Sequence, residues 1–127
     1  MAKEQIVTDQ APRPGGAYSQ GLRIADYVWV ASQGPYDPVT RAIVGTMIEE
    51  QTARTLENVK AILEAGGATM ADVVKTTVHL SDVSLFARFD KVYVRYFPDP
   101  KPVRTTVGSQ LFGNLVMIDA VAHIGDD

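Results

Sequence analysis

The sequence predicts an α+β two-layer sandwich: one mixed β-sheet with two helices on one face, in the order ββ-α-β-α-ββ. Three observations carry this. Two windows show the 3.6-residue apolar period of an amphipathic helix, several short runs alternate with the period of two that marks a strand, and the last run is apolar on both of its faces. A chain of 127 residues can bury a sizeable core and shows no composition break, so one domain spanning 1–127 is expected.

The elements follow in order. "AYSQGLRI" and "DYVWVAS" are β-rich runs separated by Ala25-Asp26, which reads as an antiparallel hairpin, with "QGPYDP" following as a loop. "GTMIEEQTARTLENVKAILEAGG" places Met47, Ile48, Leu56, Val59, Ile62 and Leu63 on one helical stripe, with Thr46 and Glu49 at capping-box spacing and Gly66 at the stop. "VVKTTVHL" alternates Val74, Thr76, Val78 and Leu80 against Val73, Lys75, Thr77 and His79, the pattern of a strand. "SLFARFDKVYVRYF" carries a second stripe of Leu85, Phe89, Val92, Tyr93 and Tyr96, with Ser84 as candidate N-cap and Pro98 beyond the end. "VRTTVGSQL" and "NLVMIDAVAHI" read as a closing hairpin turned at Phe112, Gly113 and Asn114.

The closing strand poses the functional question. Val116, Ile118, Ala120, Ala122 and Ile124 suit the helix-covered face, yet the other face, with Leu115, Met117 and Val121, is also largely apolar and holds Asp119. A monomer would leave that face in water, so packing between subunits is expected, with Asp119 in or beside the interface. An aspartate in mid-strand is a poor strand former and costly to bury alone, so it needs a partner or a wet pocket. Arg104 in the preceding strand is the natural candidate. The two are either a cross-strand ion pair, two unrelated solvated charges, or parts of a site.

Composition narrows the chemistry. The absence of cysteine excludes disulfides and thiol catalysis, and His79 and His123 lack metal-ligand spacing, so no metal and no cofactor are expected. Net charge is −3 and the 12 basic residues are scattered, which disfavours nucleic acid. The N-terminus "MAKEQIVTDQ" resembles no signal peptide and no segment approaches the ~18 apolar residues of a membrane span, so a cytoplasmic location without membrane association is expected. Neither Gly15-Gly16 nor Gly66-Gly67 matches a phosphate-binding loop.

"PVRTTVGSQLF" followed by "VMIDAVA", with "AYSQG" near the start and "TLENVKAILEAGGATMADVVKTTVHLSD" in the middle, resembles the RidA/YjgF family, the reactive intermediate deaminases also called L-PSP proteins. The resemblance covers almost the whole chain. It implies a chorismate mutase-like fold, a homotrimer with clefts between subunits, and hydrolysis of enamines and imines such as 2-aminoacrylate, 2-iminopropanoate and 2-iminobutanoate to 2-oxo acids and ammonia. It further implies that Arg104 binds the substrate carboxylate, that Asp119 stands where the family usually has glutamate and orients the water, and that Tyr18 is the pocket tyrosine. Ser32, Gln33, Asp90 and Thr106 match other positions beside the substrate.

A guanidinium fork suits a carboxylate bound through two parallel hydrogen bonds, and a carboxylate suits the proton transfers of water addition and ammonia loss. Four departures from the family pattern bear on the pocket. "SQGP" replaces Ser-Gly-Gln, placing Gln33 where glycine is usual; Asp119 is one methylene short, about 1.5 Å; Asp90 replaces asparagine; Met117 replaces glutamate. Besides the hydrolase, a non-catalytic small-carboxylate binding protein using the same cleft fits these residues, and the ribonuclease or translation-inhibitor activity sometimes attached to the family is a third reading.

Overall fold

The computed structural model describes residues 2–125. Six strands, β1 (Glu4–Ile6), β2 (Gly21–Ile24), β3 (Tyr27–Gln33), β4 (Val73–Leu80), β5 (Val103–Gly108) and β6 (Val116–His123), form one mixed sheet in the order β1-β2-β3-β6-β4-β5. Helices α1 (Ile48–Ala65) and α2 (Phe86–Tyr93) complete the two-layer α+β sandwich. Among the described residues no helix is long and apolar enough to cross a membrane.

The hairpin at Ala25-Asp26 forms as the sequence predicts, pairing Ile24 with Tyr27. Its first strand is shorter than "AYSQGLRI", because the buried Gln20 turns its amide away to the N-terminal segment. Gln20 Oε1 accepts from Thr8 N–H at 2.8 Å, and Nε2 donates to the carbonyls of Thr8, Ala11 and Pro12 at 3.0, 3.2 and 2.9 Å. That segment adds β1, a three-residue edge strand with one buried side chain, Ile6, too short for periodicity to reveal. Gln20→Ala strips these partners from several backbone groups at once, so it is expected to cost about 2 kcal/mol. The check is a lower urea midpoint with an unchanged slope.

In α1 the predicted apolar stripe lies under the sheet: Ile48, Leu56, Val59, Ile62 and Leu63 are buried, whereas Met47 is exposed. Each such aliphatic side chain contributes roughly 1.5–3 kcal/mol. The start falls one residue later than the Thr46/Glu49 spacing suggests, since Glu50 Oε1 accepts the N–H groups of Thr46 and Met47, both at 3.2 Å. Glu49 is instead held by Arg88 of α2, whose Nε and Nη2 donate to its two oxygens at 2.9 and 2.8 Å. Gly66 caps the end, and Gly67 takes the left-handed turn at φ +90°.

Two further expectations are corrected. In β4 Thr76, Val78 and Leu80 face the helices, but a register shift between Val73 and Lys75 buries Val73 and exposes Val74, the reverse of strict alternation. The α2 segment opens through a short 3₁₀ turn whose cap is Asp82, accepting Ser84 N–H at 2.8 Å, rather than Ser84. Phe89, Val92 and Tyr93 of the predicted stripe are buried.

The closing hairpin does not form. β5 pairs only with β4, in parallel, after the α2 crossover, and β6 inserts between β3 and β4, antiparallel to both. The predicted turn exists, with Gly113 at φ +93° and Asn114 accepting Phe112 N–H at 3.2 Å, but it joins strands with β4 between them. Ser81 N–H donates to Leu115 at 2.9 Å and Ser109 N–H to Leu80 at 2.8 Å, fastening the connection over the end of β4.

Candidate active site

The strand order decides which candidate residues meet. Val116, Ile118, Ala120 and Ala122 of β6 are buried against the helices, as alternation predicts, and Met117, Asp119 and Val121 take the other face. Asp119 lies opposite Thr77 of β4, whereas Arg104 of β5 lies opposite Thr76, which is buried on the helix side. Within one chain Arg104 and Asp119 therefore sit on opposite faces of the sheet, with β4 between their strands. The cross-strand ion pair is excluded. Asp119 is half-buried and takes part in none of the ion pairs among the described residues.

The first cluster brings together Tyr18, Ser32 and Gln33, which line a cavity of about 200 Å³ with Arg13, Tyr36, Arg41 and Met117 among its other walls. Met117 connects it to Asp119, two residues further along the same face of β6. Tyr18 is 54% exposed, and its hydroxyl accepts Gly15 N–H at 3.1 Å, which holds the ring at the rim. Gln33 is buried because a register shift after Val30 folds the end of β3 inward. Its amide donates back to Ala31 O at 3.1 Å, so it shapes the wall. Close backbone packing falls one position later: a Cβ on Gly34 would stand 2.5 Å from the Tyr36 ring. Tyr36 donates to Asn114 Oδ1 at 3.1 Å, and partial burial raises its hydroxyl above the usual tyrosine range.

The second cluster surrounds Arg104 on the outermost strand. A cavity of about 330 Å³ is lined by Asp90, Tyr93, Val94, Lys101, Pro102 and Arg104. The guanidinium lies 4.7 Å from the Tyr93 ring centre, 5.2 Å from Phe86 and 5.8 Å from Phe89, an aromatic platform that fixes its plane. Nη1 donates to Asp90 Oδ1 at 2.7 Å. Tyr93 is anchored through its hydroxyl to Thr76 Oγ1 at 2.7 Å, and burial raises its pKa. Thr106 follows on the same face of β5, opposite Val78. Lys101 donates to Phe97 O at 2.7 Å, at the other side of the cavity.

A family model described as endoribonuclease L-PSP matches residues 8–124. The chain belongs to this family, which includes the RidA and YjgF proteins. A RutC family protein of Pyrococcus abyssi is 47% identical over 122 residues, 96% of either chain. The chloroplastic Reactive Intermediate Deaminase A of Arabidopsis thaliana is 38% identical over 106 residues, 84% of this chain and 57% of that protein. The crystal structure of Escherichia coli TdcF with bound serine superposes at a TM-score of 0.88, with 31% identity, 94% of this chain and 98% of that one. Of the residues that the family resemblance singles out, Tyr18, Ser32 and Gln33 line one cavity and Asp90 and Arg104 another, with Thr106 on the Arg104 face of β5 and Asp119 on the opposite face of the sheet beside Met117. Arg13, Tyr36 and Arg41 were not among them. The signal for Arg41 is its position at the end of the "YDPVTR" turn, where glycine is the residue expected.

Proposed function

We propose that this RidA/YjgF family member hydrolyses 2-imino acids, the tautomers of enamines such as 2-aminoacrylate, to 2-oxo acids and ammonia in the cytoplasm. The observation that carries the reading is the arginine itself. Arg104 is stacked on aromatic rings at the edge of an open cavity and spends one nitrogen on Asp90, leaving Nε and Nη2 for a ligand carboxylate. Relatives that include a reactive intermediate deaminase and a serine-binding protein agree with a small amino-acid-derived ligand.

The two clusters join if copies of the chain assemble. The uncovered face of the sheet holds exposed apolar side chains among its polar ones: Trp29 is 48% exposed and Val103 67%, on the same face as Val107, Val121 and Met117. A closed homotrimer that buries this face sets the Tyr18 and Asp119 side of one copy against the Arg104 side of the next. Light scattering at micromolar concentration is expected to give three times the chain mass; a monomer would leave the two clusters apart and remove the cleft.

In that cleft Arg104 holds the carboxylate and orients the C=N carbon toward a water beside Asp119. Water adds to the carbon, with Asp119 taking a proton from it. The imine nitrogen picks up a proton as the water adds, giving the neutral carbinolamine. Asp119 returns the proton it took to that nitrogen, the C–N bond breaks with its electron pair leaving on ammonia, and the hydroxyl gives its proton back to Asp119 or to water as the carbonyl of the 2-oxo acid forms. Thr106 and Ser32 border the bound acid, and Tyr18 covers it from bulk water. The direct test is ammonia release from freshly generated 2-iminopropanoate above the spontaneous rate.

Asp90 competes for the same guanidinium. Asp90→Asn keeps the shape and removes the charge, so pyruvate binding is expected to tighten several-fold, up to about tenfold, by calorimetry. An unchanged affinity would mean that ligands bind away from the pair. The missing methylene at Asp119 favours a second reading, a protein that binds small carboxylates without turnover. Net charge −3 speaks against an RNA substrate.

A further inference from the structure

Arg41 takes no part in the proposed hydrolysis, although it lines the Tyr18 cavity. The segment from Tyr36 to Ile43 closes as a small hairpin: Tyr36 bridges Ile43, Asp37 Oδ1 accepts the N–H groups of Val39 and Thr40 at 2.8 and 2.9 Å, and Arg41 N–H donates to Asp37 O at 2.9 Å. The turn requires a left-handed residue at its end, and Arg41 fills that place at φ +66°, where glycine fits without steric cost. A long cationic side chain is thus held in a backbone conformation it disfavours, at the edge of a cavity.

Its guanidinium folds back over that cavity. Nη2 donates to the carbonyls of Arg13 and Pro14, the latter at 3.3 Å, which fixes the group in place. Arg41 takes part in none of the ion pairs among the described residues, whereas Arg13 is answered by Asp9 at 2.6 Å. The lining of the cavity includes two arginines, two tyrosines and Ser32, and contains no aspartate or glutamate. A volume of about 200 Å³ suits a small polar group. The cavity is concave and free of acidic side chains, and Arg41 is the cation of its lining that no carboxylate among the described residues pairs, so an anion entering it meets one guanidinium among largely apolar walls.

We propose that Arg41 makes this cavity a second carboxylate subsite, so that the site prefers 2-imino and 2-oxo acids with an acidic side chain, such as 2-iminoglutarate, over monocarboxylic ones. The inference rests on the hydrolase reading above. With the first carboxylate on Arg104 and the reacting carbon at Asp119, whatever extends past Met117 into the Tyr18 cavity is the substrate's side chain. A fixed guanidinium at the end of that path selects a side chain that ends in a carboxylate. The reaction is the same hydrolysis, with the second carboxylate unchanged.

Calorimetry on the intact chain with 2-oxoglutarate and 2-oxobutyrate tests this. Wild type is expected to bind 2-oxoglutarate about tenfold tighter. In Arg41→Gln that ratio falls to near one, mainly through loss of 2-oxoglutarate affinity. Arg41→Gly, which relaxes the positive φ, loses the ratio as well while its thermal midpoint holds or rises, a split that a purely structural staple would not produce. A wild type that binds 2-oxobutyrate without preferring 2-oxoglutarate, or a preference that survives both variants, overturns the subsite alone. Binding of neither acid overturns the hydrolase reading and the subsite with it.

Discussion

Arg104→Ala is expected to abolish binding of pyruvate and 2-oxobutyrate and to reduce imine hydrolysis by at least about a thousandfold, because the guanidinium is the group that both neutralises and orients the substrate carboxylate. The fold is expected to survive. Asp90, the partner left behind, is 44% exposed, so water replaces the ion pair at little cost, and the loss is confined to the packing of the guanidinium on Tyr93, Phe86 and Phe89. Together these amount to about 1–2 kcal/mol. Arg104→Lys recovers little, since an ammonium supplies neither the planar fork nor the stacking. Calorimetry and thermal melting on the same samples separate the two effects. Equal affinity in wild type and Arg104→Ala would leave the arginine as a structural cation for α2.

The second large effect is at Asp119. Its carboxylate has no ion-pair partner among the described residues and is only half-buried within one chain, which lowers the cost of an aspartate in mid-strand: it stands opposite Thr77, between Met117 and Val121, on the face turned away from the helices. A group so placed is available for proton transfer. Asp119→Asn is therefore expected to lower turnover about a hundredfold or more while changing 2-oxo acid affinity little. Asp119→Glu extends the carboxylate by about 1.5 Å to the usual family length and is expected to keep or raise activity. A wild type without turnover beside an active Asp119→Glu would establish the binding-protein reading instead.

Much of the architecture was legible because it rests on local periodicity. The alternation of Val116, Ile118, Ala120 and Ala122 and the stripe from Leu56 to Leu63 each face the core as their spacing predicts. Strand order is another matter. That β6 lies between β3 and β4, and that β5 pairs in parallel at the edge, depends on pairings between distant residues that no local pattern encodes. This one difference moved Arg104 away from Asp119, and so turned a supposed pair into two clusters. The bulge that exchanges Val73 and Val74 is likewise a property of pairing with β6. Among site residues, Tyr18, Ser32 and Gln33 line one cavity, while Asp90 is engaged with Arg104. Arg41 stayed hidden because its position at the cavity follows from a folded turn.

The most direct measurement generates a 2-imino acid in situ with an amino acid oxidase plus catalase and follows ammonia and 2-oxo acid release with and without the chain, using Arg104→Ala as the comparison. The account predicts release well above the spontaneous rate with wild type and the spontaneous rate alone with Arg104→Ala. Release at the spontaneous rate with wild type, or equal acceleration by both proteins, would contradict it.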